Sequence, residues 1–500
     1  MNTNVNSLSP FNLFILTMIL LVRFATIPLA AQETAPSVTT PAGVIPRCTV
    51  VLTARDAARC IGSIRINAPI PRINSEYRYS LPELIDVAES ANPGGRIAWA
   101  EAKRSLENTG IARAEYLPLL SLAAQGSDVR AIVPFPKPLA PRGYVTVEEP
   151  LVLAQLEMKY DLLDFSRKHK LQGSQALEIA STLRLERTHQ TIAYNTATQF
   201  YRTQQAIGQL EAARVILQTA ETLLKNAQSQ FDNGRATLPD VQNALAGDAE
   251  ARYSLAAADG EVKKAKLALT ESAGAEPTTE INILSETPQA TDAFESSVED
   301  LIHIAWKSRP DLLARAQDLR HAQEAYQTAH AAYMPKVTLD AAGGQTSMWP
   351  TADYGQLGPA SVTTWEVAAK LRWDIFNGAR GHEQRAALAE QQAAGEARRA
   401  TEDAVTRQVW EAYTDYQTAL EQEKSSMSFL QSAQTSYDSS LDAFNYGVRS
   451  LVDVVQAEKQ LAQARLEAVS AQARRLQTEV ALTYATGQMV QHLPPSGVHP

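Results

Sequence analysis

The chain repeats itself, and the register of the repeat limits the folds open to it. Leu84-Ile85, Ala88 and Asn92-Pro93 return as Leu301-Ile302, Ala305 and Arg309-Pro310, 217 residues on (301 − 84). Tyr116-Leu117-Pro118 returns as Tyr333-Met334-Pro335 at the same spacing. Beyond a proline-rich interval the spacing is 213 (373 − 160), with Tyr160-Asp161-Leu162 set against Trp373-Asp374-Ile375. Phe231, Gly234, Leu238, Asp240-Val241 and Ala244 then match Phe444, Gly447, Leu451, Asp453-Val454 and Ala457. Leu269-Thr270 and Gly274 match Leu482-Thr483 and Gly487. One four-residue length change reconciles both spacings. The 500 residues are therefore predicted to hold two copies of one unit, 80–274 and 297–488, with a linker over 275–296 and a tail over 489–500.

Each unit reads helix, strand, loop, strand, long helix, turn, helix. Proline placement sets the lengths, because a proline inside a helix removes a hydrogen bond and clashes with the preceding turn. The chain has 25 prolines, yet none lies in 151–238 or 360–493. Residues 166–230 and 379–444 are predicted as helices roughly 95–100 Å long at 1.5 Å per residue. Segments 82–115 and 239–273 are about half as long, so two of them stacked end to end match one long helix. Ser80 is a candidate N-cap, Pro82 fits a first turn and Pro118 is a stop. Alanine and glutamine crowd 391–400 and 460–473, which suits helices packed closely in coiled-coil fashion.

The strands decide the class. Over 365–375, Trp365, Val367, Ala369, Leu371, Trp373 and Ile375 alternate with Glu366, Ala368, Lys370, Arg372 and Asp374. The sister segment sets Val152, Ala154, Leu156, Met158, Tyr160 and Leu162 against Gln155, Glu157, Lys159 and Asp161. Period two marks half-buried strands. About eleven residues is also what a tilted strand needs to cross a bilayer, and Trp365 and Trp373 stand near the two ends of the apolar stripe like an aromatic girdle. A soluble sheet over a core is the rival reading of these segments. Weaker strands precede each, over 119–130 and 336–348, with exposed loops over 131–143 and 349–363. Four membrane strands cannot close a barrel, and an open sheet edge in lipid leaves backbone groups unpaired. Closure then needs further copies: a dimer supplies eight strands, a trimer twelve.

Composition removes other classes. The formal net charge of −9 argues against a nucleic-acid binder. A hydrophobic content of 45% is low for a polytopic helical transporter. Residues 11–22 (FNLFILTMILLV) form an apolar run too short to span a bilayer and suited to a signal-peptide core, with cleavage near Ala30 or Ala31. Arg23 follows that core where a positive charge should precede it. Residues 1–31 are thus read as a signal peptide and 32–79 as a periplasmic extension. Export makes a Cys48–Cys60 disulfide plausible beside two unpaired thiols. Pro46-Arg47 before Cys48 does not resemble a lipidation site. The eight histidines show no HExxH spacing, and neither a GxSxG nor a P-loop pattern occurs. No enzyme, cofactor or metal site is expected.

In these features the chain resembles the TolC-like family of outer-membrane efflux proteins, the outer membrane factors, over roughly residues 80–490. The marks are LIDVAESANP and LIHIAWKSRP, the YLP and YMP helix ends, the YDLLD and WDIFNGAR junctions, and the turns FDNGRATLPDVQNA and FNYGVRSLVDVVQAEKQL. The resemblance implies a mainly α protein with membrane β: a homotrimer whose twelve-stranded β-barrel, four strands per chain, lies in the outer-membrane lipid. The barrel continues into a long α-helical periplasmic tunnel. It implies the passive channel of a tripartite efflux or type I secretion system. The partners would be a periplasmic adaptor (membrane fusion) protein and an inner-membrane pump of RND or ABC type. The alternative is a soluble periplasmic coiled-coil adaptor or scaffold. The turns would be the periplasmic tips, with Gly234, Arg235, Gly447, Val448 and Arg449 docking the adaptor. The same turns would carry the gate. Arg449 is similar to an arginine that bonds, when closed, to an aspartate matched here by Asp240. Phe444 replaces a gate tyrosine and lacks its hydroxyl. Asp453 resembles the first of two aspartates that ring the constriction, and Gln456 takes the place of the second, leaving three carboxylates per trimer instead of six.

Overall fold

A computed structural model describes residues 53–63, 73–137, 140–284, 296–353 and 355–489. The expected signal peptide, Cys48 and all but the first residue of the expected tail lie outside them. The first copy runs α1 (Ala54–Ser63), β1 (Arg78–Tyr79), α2 (Leu81–Ala91), α3 (Pro93–Ala114), β2 (Leu119–Pro134), β3 (Tyr144–Leu163), α4 (Phe165–Asp232) and α5 (Leu238–Ser272). The linker carries β4 (Asn282–Ile283). The second copy runs α6 (Val298–Ser308), α7 (Pro310–Ala331), β5 (Lys336–Met348), the short β6 (Thr351–Ala352) and β7 (Gly355–Gln356), β8 (Ala360–Arg372), α8 (Arg380–Asn445) and α9 (Leu451–Ala485).

The single helix expected over 82–115 is two helices. A residue before proline is driven from the α region, and proline has no N–H to continue the ladder. Asn92 is extended (φ −63, ψ 126), and its side chain accepts from the Gly94 N–H at 2.8 Å, capping α3. The second copy breaks in the same way at Arg309, with ψ 117.

The long helices pack in the order α3 and α5, then α4, then α7 and α9, then α8. Helices of 22 and 35 residues lie along one of 68 in the first copy, and of 22 and 35 along one of 66 in the second. Small residues make the seams. Ala206, Ala213, Ala220 and Ala227 are buried on α4, and Ala419, Ser426, Ala433 and Ser440 on α8. Both series step by seven, the period of a left-handed coiled coil, and their small side chains let backbones approach closely.

The sheet is antiparallel in the order β2-β3-β5-β8. Its register aligns Leu122, Leu156, Gly343 and Trp365 on one face. That face exposes Leu120, Leu122, Leu156, Trp365, Val367 and Leu371, so the alternation does not cover a core within the chain. The opposite face aligns Ser121, Glu157, Ala342 and Glu366, and pairs Lys370 with Asp340 at 2.9 Å. β3 has 20 residues rather than about eleven, and the second-copy strand stops at Arg372. There Asp374 takes the Arg372 Nε at 3.1 Å through its side chain and Arg380 Nη2 at 2.8 Å through its carbonyl, turning the chain into α8. The expected loop over 349–363 contains β6, β7 and the start of β8. Among the described residues, β2 and β8 each have one free edge.

At the sheet-to-helix junction Asp164 caps α4. It accepts from the Ser166 N–H at 2.8 Å and from Lys336 Nζ at 2.8 Å. Burial alone raises its pKa, but the bonds from Lys336 and Ser166 win and set it at about 2. The extension is partly described: α1 crosses α4, burying Ala54 and Ala57 against Ile179, Ala180 and Leu183, and Ile61 against Leu185 and Ala102. Further on, β1 pairs in parallel with β4 of the linker. No helix among the described residues is long and apolar enough to cross a membrane.

Candidate functional site

The two turns between the long and half-length helices end the bundle opposite the sheet. Each follows one recipe. Gly234 (φ +71) and Gly447 (φ +75) adopt the left-handed conformation that a helix C-terminus uses to reverse. Arg235 and Val448 then return their N–H groups to the Gln230 and Ala443 carbonyls, both at 2.8 Å. Two residues later a capping box opens the next helix. Thr237 and Asp240 form the first, with Asp240 Oδ2 taking the Thr237 N–H at 2.8 Å and its hydroxyl at 2.6 Å. Ser450 and Asp453 form the second, at 3.2 and 2.8 Å. Leu223, Ala227, Ala244, Phe444, Leu451 and Val454 close beneath as one apolar cluster, tying the four helix ends together.

That geometry sorts the expected site residues. Asp240 and Asp453 are repeat equivalents doing the same capping work. Their pKa values are lowered first by the side-chain bonds from Thr237 and Ser450, so both are charged at neutral pH. Arg449 Nη1 donates to Ser440 Oγ at 3.1 Å. Among the described residues Asp240 and Arg449 form no ion pair, because each is already spent locally. Phe444 is a core residue, 8% exposed, packed in the apolar cluster beneath the turns. Asp453 and Gln456 are both exposed, three residues apart on one face of α9. Gly234, Arg235, Gly447 and Val448 are open at the tips. Cys60 is half-buried on α1, and its expected partner Cys48 lies outside the described residues.

The sequence reading missed Tyr446, which is 85% exposed beside Val448 at 79%. An aromatic next to a turn glycine and outside the seven-residue seam was the available signal. The first turn has Asn233 and Arg235 at the matching positions, so only the second tip exposes an aromatic and an aliphatic side chain there. Among the described residues no group of three or more His, Cys, Asp or Glu gathers to hold a metal.

A four-stranded sheet with two free edges, continuous with helices roughly 100 Å long, defines a class of protein: outer-membrane channels with a periplasmic helical tunnel. The family profile described as outer membrane efflux protein matches residues 84–275 and 301–488, both copies, and the chain belongs to that family. Protein CyaE of Bordetella pertussis is 26% identical over 418 residues, covering 82% of this chain and 84% of its own. The cation efflux system protein CusC of Escherichia coli O157:H7 is 23% identical over 341 residues, 66% of this chain and 71% of its own. Among solved structures, a membrane protein from Pseudomonas aeruginosa aligns with a TM-score of 0.70 at 21% identity, covering 81% of this chain and 93% of its own. The outer membrane protein VceC from Vibrio cholerae aligns at 0.67 and 19%, covering 81% and 96%. The fold is that of these channels, and the protein's location is the outer membrane.

Proposed function

We propose that the protein is the passive outer-membrane duct of a tripartite efflux or secretion system. The observation that carries this reading is the sheet with two unpaired edges and an outward apolar face, joined without a break to the helical bundle. Three copies complete the pattern: each β8 edge pairs with the β2 edge of the next copy, giving twelve strands, and each α8 flank meets the next α3 and α5. The tips, with exposed Tyr446 and Val448 on one turn and Arg235 on the other, dock the periplasmic adaptor, which connects the tunnel to an inner-membrane pump. Some matched relatives bear the name cation efflux system protein, and an acidic constriction suits cationic cargo.

The constriction reading rests on Asp453. A ring of like charges favours ions of opposite sign, and Gln456 leaves one carboxylate per copy there. Closing the gate requires Arg449 to leave Ser440 and reach Asp240. In planar bilayers with a salt gradient, the purified protein is expected to conduct in defined steps with a preference for cations. Asp453→Asn is expected to abolish most of that preference. Because the folded pKa of Asp453 is depressed, the wild-type preference should persist below the usual carboxylate range near pH 4 and vanish only in stronger acid. In the same recordings Arg449→Ala is expected to raise conductance. A preference unchanged in Asp453→Asn removes Asp453 from the constriction, and a silent bilayer contradicts the duct itself.

A further inference from the structure

Glu178 lies 13 residues into α4 (178 − 165), roughly 20 Å along the helix from the sheet. It is fully buried, and neither carboxylate oxygen accepts a hydrogen bond among the described residues. The Thr109 Oγ1 hydroxyl of α3 lies within reach of the Ser105 and Ser174 carbonyls (both 3.3 Å) and of Ser174 Oγ (3.2 Å). Burying an ionised carboxylate without a partner is far costlier than burying a neutral one. A second copy of the chain cannot supply the partner, because the residue is already covered within one protomer.

The charges on the surrounding elements do not rescue it. On α7, Glu324 holds His169 at 2.7 Å, His321 meets the Gly173 carbonyl at 3.0 Å and Asp318 holds Arg184 at 2.6 Å. On α1, Asp56 takes the Thr53 hydroxyl at 2.7 Å and lies 3.9 Å from Arg59, and Arg55 is exposed. On α3, Lys103, Arg104 and Glu107 are exposed, which leaves Arg113 as the one charged group acting on Glu178. The duplication offers an internal control: the position 213 residues on (391 − 178) is Gln391, a neutral side chain of the same shape.

We propose that Glu178 is a proton-operated latch on the upper tunnel, neutral when α3 lies tightly against α4 and ionised only when that seam loosens. Burial pushes its carboxyl up, and the Thr109 hydroxyl and Arg113 guanidinium offset only part of the rise. The sign follows: stabilisation is full at low pH and is lost as pH rises through the raised folded value. Acid tightens the barrel-proximal tunnel and alkali loosens it.

Hydrogen exchange of the full-length protein in detergent, corrected for intrinsic rates, tests this between about pH 5 and about pH 9. Peptides from 98–113 of the wild type are expected to lose protection severalfold as pH rises across that range. Glu178→Gln is expected to hold its protection flat and to melt a few degrees higher at the alkaline end. Flat wild-type protection, or the same loss in Glu178→Gln, overturns the proposal. Glu178→Met repeats the test if Glu178→Gln does not fold. Failure of both to fold also overturns it, because the latch requires only a neutral side chain of that size.

Discussion

Gly274→Ala is expected to destabilise the protein by more than about 3 kcal/mol, while Gly234→Ala costs about 1 kcal/mol. Both glycines have nearly the same backbone, φ +69 and +71, so the intrinsic penalty for a left-handed alanine is shared. Their surroundings differ. A Cβ on Gly274 would stand 2.8 Å from both the N and Cα of Asn92, backbone atoms that cannot rotate away, whereas a Cβ on Gly234 meets nothing within 4 Å. Gly274 is where the end of α5 passes over the α2–α3 break. Gly487 makes the equivalent crossing over Arg309 in the second copy, at 3.2 Å from its Cα and N. The duplication therefore preserved a glycine at each crossing because the two chains touch backbone to backbone there. Thermal unfolding of the purified variants measures the difference, and equal melting temperatures would contradict the crossing argument.

Arg309→Met is expected to cost roughly 2–3 kcal/mol, since Asp311 and the Ala485 carbonyl lose a donor while Arg187 still stands near Asp311. Arg309 is 2% exposed. Its guanidinium holds Asp311 at 2.6 and 3.0 Å, Gln408 Oε1 of α8 at 2.8 Å and the Ala485 carbonyl of α9 at 3.2 Å. One side chain thus ties three helices at the start of α7. Arg187 of α4 lies 3.9 Å from Asp311, stacks 3.7 Å from the Tyr484 ring centroid and donates to the Tyr484 carbonyl at 3.1 Å. Burial alone raises the Asp311 pKa, yet the bond from Arg309 and the charges of Arg187 and Arg309 bring it below the ordinary value. A depressed acid stabilises the fold above its unfolded pKa and stops doing so as pH falls through the folded one. The wild type should therefore lose this contribution in strong acid. Arg309→Met should show most of its deficit at neutral pH. Arg309→Met with Asp311→Leu is expected to recover part of the loss, since removing both members spares the orphaned charge. An additive double variant would show that the pair is not coupled.

Much of the architecture was legible because it rests on simple exclusions. Proline-free runs of the right length became α4 and α8, and the alternation around Trp365 became β8. The duplication placed each assignment twice. What stayed hidden depended on contacts between segments far apart in sequence. Asn92-Pro93 was visible as a motif, but its break between α2 and α3 depends on the ψ of Asn92. The start of β3 lies before the alternation that begins at Val152, and Glu148-Glu149-Pro150 joins the strand by pairing with Asp128–Arg130 of β2. Phe444 was read through family resemblance as a gate residue, although it lies four residues past Ser440 of the buried seam and so continues it into the tip core. Asp240 and Asp453 were visible as a matched pair. Their shared role as capping residues follows from Thr237 and Ser450 three positions earlier. The Arg309 network left no sequence trace, since Arg187, Asp311 and Gln408 come from three helices.

The central claim is that four strands per chain close into a barrel only with other copies of the chain. The most direct test is the native mass of the protein extracted from outer membranes in mild detergent. The account predicts a particle of three chains that resists dissociation until heated. A monomer released from the periplasm without detergent would contradict it, because the exposed Leu122, Leu156 and Trp365 face would then have no lipid to meet.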